Sequence, residues 1–154
     1  MSIEIRKASA DDLKLLTEWR IRVLREVFST PDDADMEDLR AANEAYYREH
    51  VPDGTHTACF AVDTGNGRIV GCGGICYQHE MPSPDNPTGT CGYLMNIFAV
   101  PELRGRGIGR KVVEFLIADA RARGIGKIYL ESSQMAKSLY RSIGFEDLPD
   151  YMKL

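Results

Sequence analysis

Apolar positions change period several times along the chain, and each change marks an element. Residues 3–8, IEIRKA, alternate as a half-buried strand does. SADD follows, with Ser9 placed to cap a helix and Asp12 three residues on to close a capping box. Leu13, Leu16, Val23, Leu24 and Val27 supply an apolar stripe, which predicts a helix running to about Phe28. STPDDAD interrupts the pattern, MEDLRAANEAYYREH predicts a second helix, and Pro52 with Gly54 ends it.

TACFAV and RIVGCGGICYQ then predict two strands joined through DTGNG, a hairpin signal that implies antiparallel pairing. Three prolines in MPSPDNPTG exclude regular structure there, so a surface loop leads into the strand YLMNIFAV. Beyond a glycine-rich stretch, Val113, Leu116, Ile117 and Ala120 recur at the spacing of a helix packed on a sheet. KIYLE predicts a strand, QMAKSLYRSIG a short helix ending at Gly144, and YMKL a last strand. The order β-α-α-β-β-β-α-β-α-β describes one mixed α/β domain over residues 1–154, without repeat or linker. Its strand-helix-strand unit around Arg104 is expected to be a right-handed parallel crossover.

Composition adds limits. A chain of 154 residues can bury about 70% of its unfolded surface around a single core, so no metal or disulfide staple is required. The N-terminal MSIEIRKASADD carries charges where a secretory leader has its apolar centre, and no run reaches membrane-spanning length. A cytoplasmic protein with no membrane partner is expected. The formal charge of −4 disfavours a nucleic-acid partner and mildly favours cationic ligands. Its distribution says more: Arg104, Arg106, Arg110, Lys111, Arg121 and Arg123 gather in and after the glycine stretch, where an anion is expected.

All four cysteines lie between Cys59 and Cys91, which raises a metal site built from Cys72, Cys76, Cys91 and His79. None of the spacings is a C-x-x-C pair, and Cys72 and Cys76 fall in a strand where small apolar residues belong. No metal is expected.

The stretch FAVPELRGRGIGRKVVEFLIADARARG, Phe98 to Gly124, carries the strongest chemical signal. Glycines at a helix start let backbone N–H groups approach a ligand, and the helix dipole adds positive potential, so Gly105, Gly107 and Gly109 read as a phosphate cradle. A Walker loop requires a Lys followed by Ser or Thr, and a Rossmann fingerprint requires a glycine where Arg110 stands. Neither matches, and a glycine-rich turn that binds nothing stays open on spacing alone.

Here the residues resemble a family. Arg104-Gly105-Arg106-Gly107-Ile108-Gly109 fits the R/Q-x-x-G-x-G/A motif of the GNAT acyltransferase superfamily, with Pro101 where that family often has a proline. AKSLYRSIGF resembles its second mark, A-x-x-L-Y-x-x-x-G-F, through Ala136, Leu139, Tyr140, Gly144 and Phe145. The element order is similar over essentially the whole chain. The resemblance implies a central mixed sheet splayed between two parallel strands and flanked by about four helices.

It also implies transfer of an acetyl group from acetyl-CoA to a primary amine by direct attack in a ternary complex. The pyrophosphate would lie on the N–H groups of the loop from Gly105 through Arg106, Gly107, Ile108 and Gly109 to Arg110. The pantetheine arm would lie along Ile97, Phe98 and Ala99, and Arg104, Arg106 or Arg110 would pair with phosphates. An N–H of the Phe98 strand would serve the oxyanion, and Tyr140 would protonate the departing thiolate, although on spacing alone Tyr140 is a core aromatic.

Many relatives place a glutamate early in the strand before the proline; CGYLMNIF has none. That leaves Glu26, His79, Glu80 and Glu131 as candidates for the general base. The expected acceptor is a small amine, cationic ones included, bound between the first two helices and the loop from His79 to Thr90. A peptide amine, or a non-catalytic acyl-CoA sensor, is the alternative, and a homodimer stays open.

Overall fold

The hairpin and crossover patterns combine in one five-stranded sheet ordered β1-β2-β3-β4-β5. The computed structural model describes residues 1–154. β1 (Ile3–Lys7), β2 (His56–Asp63), β3 (Arg68–His79) and β4 (Thr90–Ala99) pair antiparallel, and β5 (Lys127–Leu130) joins β4 in parallel. Four helices complete the mixed α/β domain: α1 (Leu13–Val27), α2 (Glu37–His50), α3 (Ile108–Ala122) and α4 (Lys137–Ile143). The capping box forms as the sequence predicts, with the Ser9 N–H donating to Asp12 at 2.9 Å. No helix is long and apolar enough to cross a membrane.

Alternation along β3 sends Gly71, Gly73 and Ile75 to the face covered by α3, and Cys72, Gly74 and Cys76 to the face covered by α1 and α2. On the first face, Val112 and Leu116 reach so close to the sheet that only a glycine fits opposite, at Gly73. On the second, Trp19 of α1 meets the edges of Phe60 and Phe98 with ring centres 6.4 and 6.1 Å apart. Phe60, Val70, Ile75, Val112, Val113 and Leu116 form the fully buried centre.

The far end of α3 is fastened by polar contacts. Asp119 accepts from Thr57 Oγ1 at 2.9 Å and Tyr77 Oη at 2.5 Å, and Arg123 Nε lies 3.3 Å from it. Burial raises the Asp119 pKa, but these donors and the Arg123 charge outweigh it and hold the carboxyl below its usual range.

Two departures from regularity shape the centre. Pairing of β4 with β5 stops at Leu94 and Leu130, while β4 continues to Ala99. The sheet therefore splays there. In the same stretch, Cys72 faces Phe98 and Gly74 faces Met95, so Gly73 stands opposite two residues. That bulge puts Asn96 at φ +62° and bends the strand.

The last strand expected from YMKL does not form. Residues 145–154 are irregular: Asp147 pairs with Arg141 at 2.8 Å and Lys137 at 3.7 Å on α4, and Tyr151 Oη accepts from Lys127 of β5. Pro149 lacks a ladder donor as well.

Candidate functional site

Gly105 and Gly107 sit at φ +81° and +83°, a region that a Cβ disfavours. A Cβ built on either would meet nothing within 4 Å, so the loop opens outward. Gly107 is the N-cap of α3, and no side chain caps that first turn. Helix bonding begins with the Lys111 N–H to the Gly107 carbonyl at 3.1 Å. The N–H groups of Ile108, Gly109 and Arg110 are left as donors at the positive end of the helix dipole, the arrangement that binds phosphate.

The three arginines of the loop differ. Arg104 Nη2 donates to Glu26 at 2.7 Å and its Nε to the Ala99 carbonyl at 3.0 Å. Arg110 bonds Glu114 at 3.2 Å and also Ser142. Arg106 is exposed and has no ion-pair partner. Of the three expected phosphate partners, it is the one not already engaged.

Next to the loop runs the part of β4 that β5 does not cover. The Val100 N–H bonds the Val70 carbonyl at 2.9 Å, toward β3. Strand alternation then turns the Phe98 backbone groups to β3 as well, and those of Ile97 and Ala99 to the gap. The Phe98 side chain is buried under Trp19. Thus the gap offers the Ile97 and Ala99 N–H groups, while Phe98 itself serves the core.

Tyr140, on α4, packs its ring edge-on to Phe145 at 5.8 Å and is 8% exposed. Its hydroxyl has no partner within the protein. The buried side-chain atoms without a partner are His56 Nε2 and Asn86 Oδ1, so Tyr140 Oη reaches open space. Burial raises its pKa, and the phenol stays protonated at neutral pH. A cleft of about 1790 Å³ between β5, α3, α4 and the C-terminal segment is lined by Gln78, Tyr93, Arg110, Leu130 and Tyr140 among others. It touches the glycine loop only through Arg110.

The face under α1 and α2 holds polar groups that the sequence reading missed. Arg20 donates from Nε to Asn43 at 3.2 Å and from Nη1 to Asn96 at 3.0 Å. Below it, Tyr46 Oη meets His56 Nδ1 at 2.8 Å and Cys76 Sγ at 3.1 Å. Burial, with the charges of His50 and Arg20, holds His56 down to about 4, so it is neutral at pH 7. A polar Asn inside the apolar run YLMNIFAV was the one local signal for this cluster.

The four candidates for a base differ in their surroundings, and Glu131 lines the cleft that also holds Tyr140. Glu26 is bound to Arg104. Glu80 lies 3.3 Å from Lys127 and accepts from Asn86, contacts that keep its pKa low. His79 and Glu131 are exposed at the ends of β3 and β5.

A model of the acetyltransferase (GNAT) family matches residues 13–145. The chain belongs to the GNAT family. Among relatives of this GNAT chain, the IAA acetyltransferase of Azospirillum brasilense is 34% identical over 91 residues, 57% of this chain and 54% of that protein. Glucosamine 6-phosphate N-acetyltransferase 1 of Oryza sativa subsp. japonica is 27% identical over 90 residues, 58% and 53% of the two chains. The chain thus spans about half the length of the curated relatives it matches. A predicted acetyltransferase of Clostridium acetobutylicum, solved with acetyl-CoA, superposes with a TM-score of 0.86 at 26% identity, covering 99% of this chain and 96% of that one. The mixed sheet, its splay and the four helices are the GNAT fold.

Proposed function

We propose that the protein transfers an acetyl group from acetyl-CoA to the primary amine of a small molecule. One observation carries the reading: a row of unpartnered N–H groups at the start of α3 adjoins a strand segment that has lost its neighbour, with a protonated phenol facing the adjacent cleft. Acetyl-CoA supplies a thioester whose carbonyl carbon a neutral amine attacks, so that a C–N bond forms and the C–S bond breaks.

The residues divide the work. The N–H groups from Gly105 to Arg110 hold the pyrophosphate, with Arg106 free to add a charge. The backbone of Ile97 and Ala99 aligns the pantetheine arm like an added strand, and one of those N–H groups donates to the carbonyl oxygen as it gains charge. Tyr140 gives its Oη proton to the departing sulfur, and the proton that the attacking nitrogen loses returns to the phenolate through water. An α-amine with a pKa near ~8 is about 10% neutral at pH 7, which gives an attacking population without a dedicated base. Relatives named for acting on small molecules, glucosamine 6-phosphate among them, support a small acceptor.

Calorimetry with acetyl-CoA, followed by thiol release across a panel of amino acids, polyamines, aminoglycosides and peptides, tests the proposal. Binding without turnover of any amine would make the chain an acyl-CoA sensor. Turnover of peptides alone would remove the small-molecule acceptor.

A further inference from the structure

Arg20 is a half-buried cation without a counterion. Its Nε and Nη1 are held by two neutral amide oxygens, Asn43 Oδ1 and Asn96 Oδ1, and its Nη2 has no acceptor in the protein. No carboxylate pairs with it: Glu18 pairs with Lys14, Glu26 with Arg104 and Glu44 with Arg48. The groups beneath it, Tyr47, His56, Cys72 and Cys76, lie within its field, and all are uncharged at neutral pH. Removing a charge from water without a partner is costly. Two carboxamides from two different elements orient this one and leave one edge of its fork free.

The place of that free edge matters. Asn96 is the bulge residue, at the point where β4 has parted from β5. The guanidinium is therefore one hydrogen bond away from the strand segment assigned above to the thioester, on the side covered by α1 and α2. A planar fork in this position matches a carboxylate or phosphate better than any neutral group.

We propose that the acceptor amine carries an anionic group, a carboxylate or a phosphate, and that Arg20 binds it while Asn43 and Asn96 hold the guanidinium in place. The inference rests on the acetyl-transfer reading and names its acceptor class. It reverses the expectation of a cationic acceptor drawn from net charge, because the local field at this face is positive.

The test uses pairs of amines with and without the anionic group, amino acids against their carboxamides and phosphoethanolamine against ethanolamine, with rates compared per neutral amine because the anion also raises the amine pKa. Thiol release is measured with the wild type, Arg20→Gln and Arg20→Lys, and acetyl-CoA affinity and the unfolding midpoint are measured on each. The wild type is expected to prefer the anionic member by about tenfold to hundredfold, the range of a hydrogen bond to a charged group. Arg20→Gln should lose that preference mainly through KM, with acetyl-CoA affinity unchanged, and Arg20→Lys should keep part of it.

Equal use of both members by the wild type would overturn the proposal, as would a preference that survives in a folded Arg20→Gln. A weakened acetyl-CoA affinity in Arg20→Gln would assign Arg20 to the cofactor's phosphates and overturn it too. If no amine turns over, the transferase reading fails, and titrating the CoA-loaded wild type with the same pairs still decides the anion preference. Stronger binding of the anionic member supports the proposal; no difference ends it.

Discussion

A Cβ on Gly73 would lie 2.4 Å from Val112 Cγ1 and 2.9 Å from Ile97 Cδ1. Val112 is β-branched on a buried helix face and cannot swing aside. Gly73→Ala is expected to destabilise the protein by about 1–3 kcal/mol, the usual range for overpacking. It should also weaken acetyl-CoA binding, because α3 must shift away from β4. Denaturant midpoints and calorimetry on one preparation check both; a variant as stable as the wild type would refute the tight contact.

Gly107→Val tests the loop without touching the core. The φ of +83° disfavours a branched side chain, and the site has open space around it. The fold should survive, whereas acetyl-CoA affinity should fall by about tenfold or more, since the N–H groups of the cradle lose their alignment. Unchanged affinity would remove the phosphate reading.

Tyr140→Phe separates catalysis from packing. The hydroxyl has no partner within the protein, so the variant breaks no internal hydrogen bond and keeps the buried ring. Stability and acetyl-CoA affinity should hardly move, and kcat should fall by roughly 10² or more. A thioester with a better leaving group should recover part of the loss. Full turnover by the variant would take Tyr140 out of the mechanism.

Acid sensitivity should trace to His56. Its folded pKa is lowered to about 4, chiefly by burial, whereas the unfolded side chain titrates near ~6.5. The unfolded chain binds more protons between those values, so this contribution is complete above about 6.5 and is lost as the pH falls toward the folded pKa. Each pH unit in the window removes up to about 1.4 kcal/mol. His56→Gln should flatten the stability profile there, in urea unfolding at about pH 7, 5.5 and 4.5. An equally steep profile would put the acid response elsewhere.

What the sequence disclosed follows from the range of each signal. The glycine loop and the stripe of α3 are local, encoded within a few turns of chain, and were legible there. The Arg20 cluster was not, because Arg20, Asn43 and Asn96 come from three elements and meet only in the folded sheet. Within β4 no Gly or Pro marks the bulge at Asn96, which takes its positive φ where Gly73 of β3 stands opposite two residues. YMKL misled in the opposite way: its composition suits a strand, but Tyr151 meets β5 through its side chain, at Lys127, and no backbone ladder forms, while ion pairs hold Asp147 to α4.

The fastening of α3 at its far end bears on how a ligand is received at the near one. Asp119 and Arg123 tie the last turns to Thr57, Tyr77 and the Gly54 carbonyl, and Gly73 lets the middle of the helix sit against the sheet. The donors of Ile108, Gly109 and Arg110 therefore lost their orientational freedom when the chain folded. An anion arriving there has no helix left to order, so little of its interaction energy is consumed by entropy and more of it appears as affinity.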